Sequence, residues 1–260
     1  MQVTCCQLDI VWENKQANFT RVEQLLSRAT VEPNGLIVLP EMFATGFSMN
    51  VEAIHEAEHG ETAAFLQQLA RRTRSWLVAG VTSKGADSRG RNIAAVFSPE
   101  GESLLRYTKC QPFSAGGECD HYTAGTEIQT FKCGDFLAAP FVCYDLRFPE
   151  LFRVAALKGA ELLVVIANWP AKRVDHWATL LRARAIENQA YVIGVNRPGK
   201  DPFHQYPGRS MVVDPHGNVL GELHDTEGLV QTHIDSATVQ AWRRDFPALR
   251  DIRKAWFAGV

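Results

Sequence analysis

Three residues able to carry covalent chemistry on a carbonyl compound stand at the ends of apolar, strand-like runs. Glu41 follows Leu36-Ile37-Val38-Leu39-Pro40, Lys109 follows Leu104-Leu105-Arg106-Tyr107-Thr108, and Cys143 follows Ala138-Ala139-Pro140-Phe141-Val142. In α/β proteins functional groups gather at the carboxyl ends of strands. A cysteine between a strand and a helix is well placed as a nucleophile. Backbone N–H groups and the dipole of the following helix favour its thiolate, and a nearby lysine lowers its pKa further. A carboxylate then serves as the base. Each residue alone is a weak signal. A strand-end Glu or Lys is commonly a solvated charge, and a buried Cys is commonly inert packing.

The elements that must position these groups follow from periodicity. Val3–Leu8, Gly35–Leu39, Trp76–Val81, Asn92–Ser98 and Ser103–Thr108 read as strands, with helices over Asn14–Thr30 and Thr62–Arg74. A similar order recurs. Phe136–Cys143, Leu162–Ala167 and Tyr191–Asn196 read as strands, with helices over Pro149–Lys158 and Trp177–Gln189. Proline opens the first of those helices and Gly159 lies just past its end. Ser210–Val213, Val219–Leu223 and Leu229–Ile234 close the second half with hairpins. Two sheets packed face to face with helices outside fit this order, and so does one long mixed sheet.

Composition sets outer limits. A chain of 260 residues with 46% hydrophobic and 22% charged residues buries a sizeable core without staples. Disorder, collagen-like repeats and coiled coil are excluded. Twenty-seven basic against 29 acidic residues give a formal net charge of −2, which removes the electrostatic case for nucleic acid. Met1–Val11 has no basic leader and no long apolar run. No apolar stretch is long enough to span a bilayer. Six cysteines are too sparse for a disulfide scaffold. The expectation is a cytoplasmic protein with free thiols and no membrane partner.

Together the motifs resemble the nitrilase (carbon–nitrogen hydrolase) superfamily. Leu39-Pro40-Glu41-Met42-Phe43, Tyr107-Thr108-Lys109 and Val142-Cys143-Tyr144-Asp145-Leu146-Arg147-Phe148-Pro149-Glu150 match its three signatures in order. Gly117-Glu118 with Tyr122 and Gly125 is similar to the loop carrying that family's second glutamate. Asn168-Trp169-Pro170 and Ala183–Gln189 extend the likeness, which runs to about Ile234 and is nearest to the ω-amidase branch. One departure is Cys110-Gln111-Pro112-Phe113, where the family usually has a His-Leu-Phe-like run.

The resemblance implies an α/β fold, a four-layer α-β-β-α sandwich of the nitrilase type. It implies one domain over residues 1–260, with a tail from about 236 to 260 at the interface of a homodimer or higher homo-oligomer. It implies a small-molecule amide substrate of the 2-oxoglutaramate or 2-oxosuccinamate type and no cofactor or metal. Cys143 would attack the amide carbon, Glu41 would take its proton, and Lys109 with the Tyr144 backbone N–H would hold the oxyanion. Glu118 would orient Lys109 or assist the base. An ω-amidase must also hold the far carboxylate of its substrate. Arg147, four residues after Cys143, suits that task through bidentate hydrogen bonds. Arg173 is the alternative anchor, and Trp169 lies between them in sequence. A nitrile, carbamoyl compound or other amide would use the same chemistry.

Rival signals are weaker. His55-Glu56-Ala57-Glu58-His59 matches H-E-x-x-H, the zinc-peptidase pattern. That reading needs both histidines on one face of a packed helix and a third ligand. Cys110, Cys119, His121 and Cys133 lack metal-site spacing. The segment Trp242–Trp256 is basic and aromatic, and a subunit interface is preferred to an anionic partner.

Overall fold

The computed structural model describes residues 1–253 and 255; Lys254 and Trp256 of the basic, aromatic tail lie outside the described residues. The first half contains β1 (Gln2–Gln7), α1 (Lys15–Leu26), β2 (Leu36–Val38), α2 (Val51–Ile54), α3 (Glu61–Thr73), β3 (Trp76–Lys84), β4 (Gly90–Phe97) and β5 (Ser103–Thr108). The short helix α4 (Glu118–His121) follows. The second half contains β6 (Phe131–Cys133), β7 (Phe136–Val142), α5 (Pro149–Leu157), β8 (Leu162–Ala167), α6 (Val174–Asn188) and β9 (Tyr191–Asn196). A small hairpin, β10 (Pro198–Lys200) and β11 (Gln205–Pro207), precedes β12 (Ser210–Val213), β13 (Val219–Leu223), β14 (Gly228–His233) and α7 (Ser236–Asp245).

The strands form two six-stranded sheets, ordered β14-β1-β2-β3-β4-β5 and β13-β12-β9-β8-β7-β6. Side-chain alternation explains why they stack. In the first sheet Val3, Cys5, Leu36, Val38, Val78, Ala94 and Val96 join the core shared with the second sheet. Their neighbours Ile37, Leu77, Ala79, Ile93 and Ala95 pack with Phe19, Val22 and Leu25 of α1 and Leu66 and Leu69 of α3. Period two therefore gives each strand one face for the other sheet and one for the helices. In the second sheet β7, β8 and β9 run parallel, and all six residues of Leu162–Ala167 are buried. A parallel strand covered on both faces is expected to be apolar throughout. Its outer cover is α5, through Phe152 and Ala155, and α6, through Trp177, Leu181 and Ala185. Each such fully buried large side chain contributes roughly 1.5–3 kcal/mol. The result is a four-layer α-β-β-α sandwich, and the single mixed sheet is excluded.

One strand differs from expectation. β14 does not close the second half; it crosses to the first sheet and pairs antiparallel with β1, from Gln2↔His233 to Gln7↔Gly228. Without it β1 would leave a six-residue open edge beside a buried parallel strand. Two smaller corrections concern element ends. Helix α1 begins at Lys15 because the Asn14 side chain accepts from Ala17 N, and it stops at Leu26. The strand before the cysteine stops at Val142, and Cys143–Arg147 forms a 3₁₀ turn.

The loop after β2 lies directly on β3. Gly80 N donates to Pro40 O at 3.1 Å, and Phe43 N donates to Gly80 O at 3.2 Å. A Cβ at Gly80 would sit inside van der Waals contact with Met42 N and the Glu41 Cα, so only glycine lets the Glu41 turn settle there. Gly80→Ala should destabilise the protein by about 1–3 kcal/mol, the usual range for overpacking. Thermal unfolding checks this; an alanine variant with native stability would contradict it.

Candidate active site

Four strand ends and one helix deliver the site. Glu41 follows β2, Lys109 follows β5, Cys143 follows β7, Asn168 follows β8, and Glu118 opens α4. Glu41 and Glu118 are 0% exposed and Lys109 is 1% exposed. Three charges buried this completely survive only as partners. Lys109 Nζ donates to Glu41 Oε1 at 3.1 Å and to Glu118 Oε2 at 2.8 Å. Asn92, on β4 beside the lysine strand, donates through Nδ2 to Glu41 Oε1 at 2.7 Å and Glu118 Oε1 at 2.8 Å. The other oxygen of Glu41 accepts from Asn168 N at 2.8 Å. Burial alone would push the Lys109 pKa down, but Glu118 and Glu41 outweigh it and hold the ammonium above its ordinary range.

The residues just after Glu41 and β7 have unusual backbones. Met42 has φ +44° and Cys143 has φ +46°, both left-handed values that L-residues rarely adopt. At Cys143 this turns the side chain out of the strand direction. Its sulfur lies 3.9 Å from Asn168 O. The expectation of a lowered thiol pKa is overturned. Burial pushes the Cys143 thiol well above its ordinary value, the Glu41 charge adds to that, and Lys109 opposes it without prevailing. Burial therefore favours the protonated form of this thiol.

A single carboxylate fixes this turn. Asp145, fully buried, accepts from Val142 N and Tyr107 Oη through Oδ2 and from Gln111 N through Oδ1, each at 2.9 Å. It ties the cysteine turn to β5 and to the loop after Lys109. Burial pushes its carboxyl up to about 7, against those donors and Lys109.

The pocket beside Cys143 has an empty volume of about 390 Å³ and is lined by Phe47, Phe113, Tyr144, Arg147, Trp169 and Arg173 among others. The Arg147 guanidinium lies 4.7 Å from the Trp169 ring centre, and its nitrogens approach His176 Nδ1 at 3.2 and 3.3 Å. The Arg173 guanidinium lies 5.3 Å from the Phe113 ring centre. Neither arginine forms an ion pair with a carboxylate among the described residues, and Arg147 pairs with neither Glu150 nor Asp145. The structure thus brings Glu41, Lys109, Cys143 and Glu118 together and sets Tyr144, Arg147, Trp169 and Arg173 in the adjoining pocket.

The carbon–nitrogen hydrolase family model matches residues 2–244. The chain belongs to the carbon–nitrogen hydrolase family. This hydrolase is 37% identical over 256 residues to omega-amidase YafV of Yersinia enterocolitica, covering 98% of this chain and 97% of that one. It is 32% identical to the 2-oxoglutaramate amidase of Bacillus subtilis, covering 97% of each. A CN-hydrolase superfamily protein from Xanthomonas campestris, whose crystal structure carries an arsenic adduct in the active site, superposes with a TM-score of 0.91 at 33% identity over 97% of both chains.

The zinc-peptidase pattern has lost its scaffold in this hydrolase. His55 caps the end of α2 in extended backbone, and His59 lies in the turn before α3. Glu56 accepts from Thr62 N and pairs with Lys15. The two histidines share no helical face. Among the described residues no group of three or more His, Cys, Asp or Glu is placed to hold a metal.

Several site residues carried no recognisable signal. Asn92 acts from mid-sheet, and only the β3–β4–β5 register brings it to the glutamates. Asp145 sits inside the cysteine signature but works through tertiary contacts. His204 and Tyr206 reach the pocket from the β10–β11 hairpin, whose short strands have no periodicity.

Asp145 predicts a pH dependence. Its carboxyl holds a proton more tightly in the folded chain than at its ordinary value of 3.8. Its contribution to stability is fully present below that value and is lost as pH rises through about 7. Asp145→Asn removes this titration, so the stability deficit of the variant should shrink from pH 5 to pH 8. Urea unfolding of both proteins across that range measures it, and a deficit independent of pH would contradict the assignment.

Proposed function

We propose that this hydrolase cleaves the ω-amide of a small dicarboxylate monoamide, of the 2-oxoglutaramate or 2-oxosuccinamate type, to the acid and ammonia. Cys143 Sγ attacks the amide carbon while Glu41 accepts the thiol proton. The tetrahedral oxyanion is held by Lys109 Nζ and the Tyr144 backbone N–H, each such donor contributing on the order of 3–4 kcal/mol. Glu41 passes its proton to the leaving nitrogen, ammonia departs, and a thioester remains on Cys143. Glu41 then takes a proton from water, the hydroxyl attacks the thioester, and the acid leaves with the thiol restored. Glu118 keeps Lys109 charged and aimed.

The feature that carries the substrate class is a pair of arginines that form no ion pair with a carboxylate among the described residues. Arg147 and Arg173 share one small aromatic pocket with the nucleophile. Two guanidiniums left unpaired there suit a ligand that brings its own carboxylate. Trp169 supplies the flat wall on which Arg147 rests. The names of the relatives from Yersinia enterocolitica and Bacillus subtilis point the same way.

The proposal extends to assembly and location. Two copies pair through the outer faces of α5 and α6, with residues 236–253 at the seam; Leu157, Ile186 and Phe246 remain exposed on a single copy. All six cysteines are free thiols, which suits a reducing cytoplasm.

Arg147→Ala leaves the substrate carboxylate poorly paired in a partly dry site. Its kcat/KM on 2-oxoglutaramate should fall by about 2–5 kcal/mol of transition-state binding, a hundredfold or more near the middle of that range. An uncharged amide of similar length should lose far less. Steady-state ammonia release on both substrates decides the matter: an equal drop on both would mean that Arg147 serves the fold and not recognition.

A further inference from the structure

Asn168 joins the nucleophile to the base, yet none of the chemistry above uses its side chain. Its main-chain N donates to Glu41 Oε2 at 2.8 Å, and its main-chain O receives the Cys143 thiol at 3.9 Å. Its side-chain Nδ2 donates to Glu41 O at 2.6 Å, with Glu41 Oε2 at 3.4 Å. Both partners of Nδ2 are acceptors, so the amide can face Glu41 only with its nitrogen. Asn168 is 4% exposed, and its Oδ1 has no partner among the described residues.

The segment holding Asn168 is itself locked. Asn196, at the end of β9, accepts from Trp169 N at 2.7 Å and donates to Trp169 O at 3.1 Å and Gly208 O at 2.8 Å. The Ser210 hydroxyl donates to Asn196 O at 3.0 Å. Rigidity therefore passes from β12 through β9 to Asn168. Meanwhile Glu41 begins a turn with a left-handed residue at Met42 and has only the short β2 behind it.

We infer that the Asn168 side chain is a positioning residue for the general base, pinning the Glu41 main chain so that its carboxylate meets the Cys143 thiol. This rests on the proposed role of Glu41 and adds a residue through which that role is set. The charged and titratable groups facing Glu41 are Lys109 from the end of β5, Glu118 from α4, Cys143 from the end of β7, Tyr122 after α4 and Tyr206 from the hairpin.

Two variants test it. Asn168→Ala keeps both main-chain contacts and removes only the Nδ2 donor. Its kcat on 2-oxoglutaramate should fall by about ten- to a hundredfold, with KM within about threefold, because a displaced base slows the chemical step and spares binding. Asn168→Asp has an acceptor facing Glu41 O when ionised and a donor when protonated. Its activity should therefore rise relative to wild type as pH falls from 8 to 6, as the added carboxyl gains a proton beside Glu41. Circular dichroism confirms that each variant is folded. An Asn168→Ala enzyme with wild-type kcat would overturn the inference, as would an Asn168→Asp enzyme whose pH profile runs parallel to wild type. Glu41→Gln separates the two levels. A Glu41→Gln enzyme as fast as wild type sinks the proposed function and this inference together. An inactive Glu41→Gln enzyme beside an unimpaired Asn168→Ala enzyme sinks only the inference.

Discussion

The cluster of Glu41, Lys109 and Glu118 is a buried set of three charges, two negative and one positive, with almost no water access. Such a set contributes little to stability, because desolvation opposes the attraction between the charges. Removing Lys109 leaves two carboxylates unpaired in a low-dielectric interior, and removing either glutamate takes away one of the two partners of Lys109. The rest of the architecture can be understood as what keeps the three together. They come from β2, β5 and α4, segments separated by up to 77 residues in the chain, so only a completed first sheet brings them within hydrogen-bond reach. Asn92, contributed by β4, bridges the two carboxylates beside Lys109.

Around this cluster the backbone accepts local strain. Met42 and Cys143 both take left-handed conformations that cost of order 1–3 kcal/mol each. The surroundings over-determine them. Gly80 admits the first turn by carrying no Cβ, and Asp145 clamps the second with three hydrogen bonds. Burial that pairs the charges also pushes the Cys143 thiol above its ordinary value.

Much of this was legible in the chain because it is written locally. The strand-end positions of Glu41, Lys109 and Cys143 follow from short apolar runs. The two-fold recurrence of strand and helix anticipated two stacked sheets, though it could not choose between them and one mixed sheet. What escaped notice depends on register and burial. The final strand β14 has the pattern of a closing hairpin, and only the open edge of β1 explains why it crosses to the other sheet. Asn92 and Asp145 act across strands, and their types are ordinary in those positions. The raised pKa of the Cys143 thiol is not legible in sequence, where a nearby lysine and a helix can be read while complete burial cannot. Arg147 stands out in the sequence by its place after the cysteine, while its rest on Trp169 and its neighbour His176 belong to the folded chain.

The most direct test of the account is covalent. A slowly hydrolysed amide mixed with the enzyme and quenched in acid should leave one acyl group per active chain, located on Cys143 by peptide mass spectrometry and absent from Cys143→Ala. An acyl group on Cys5, Cys110 or Cys119, or full turnover by Cys143→Ala, would contradict it.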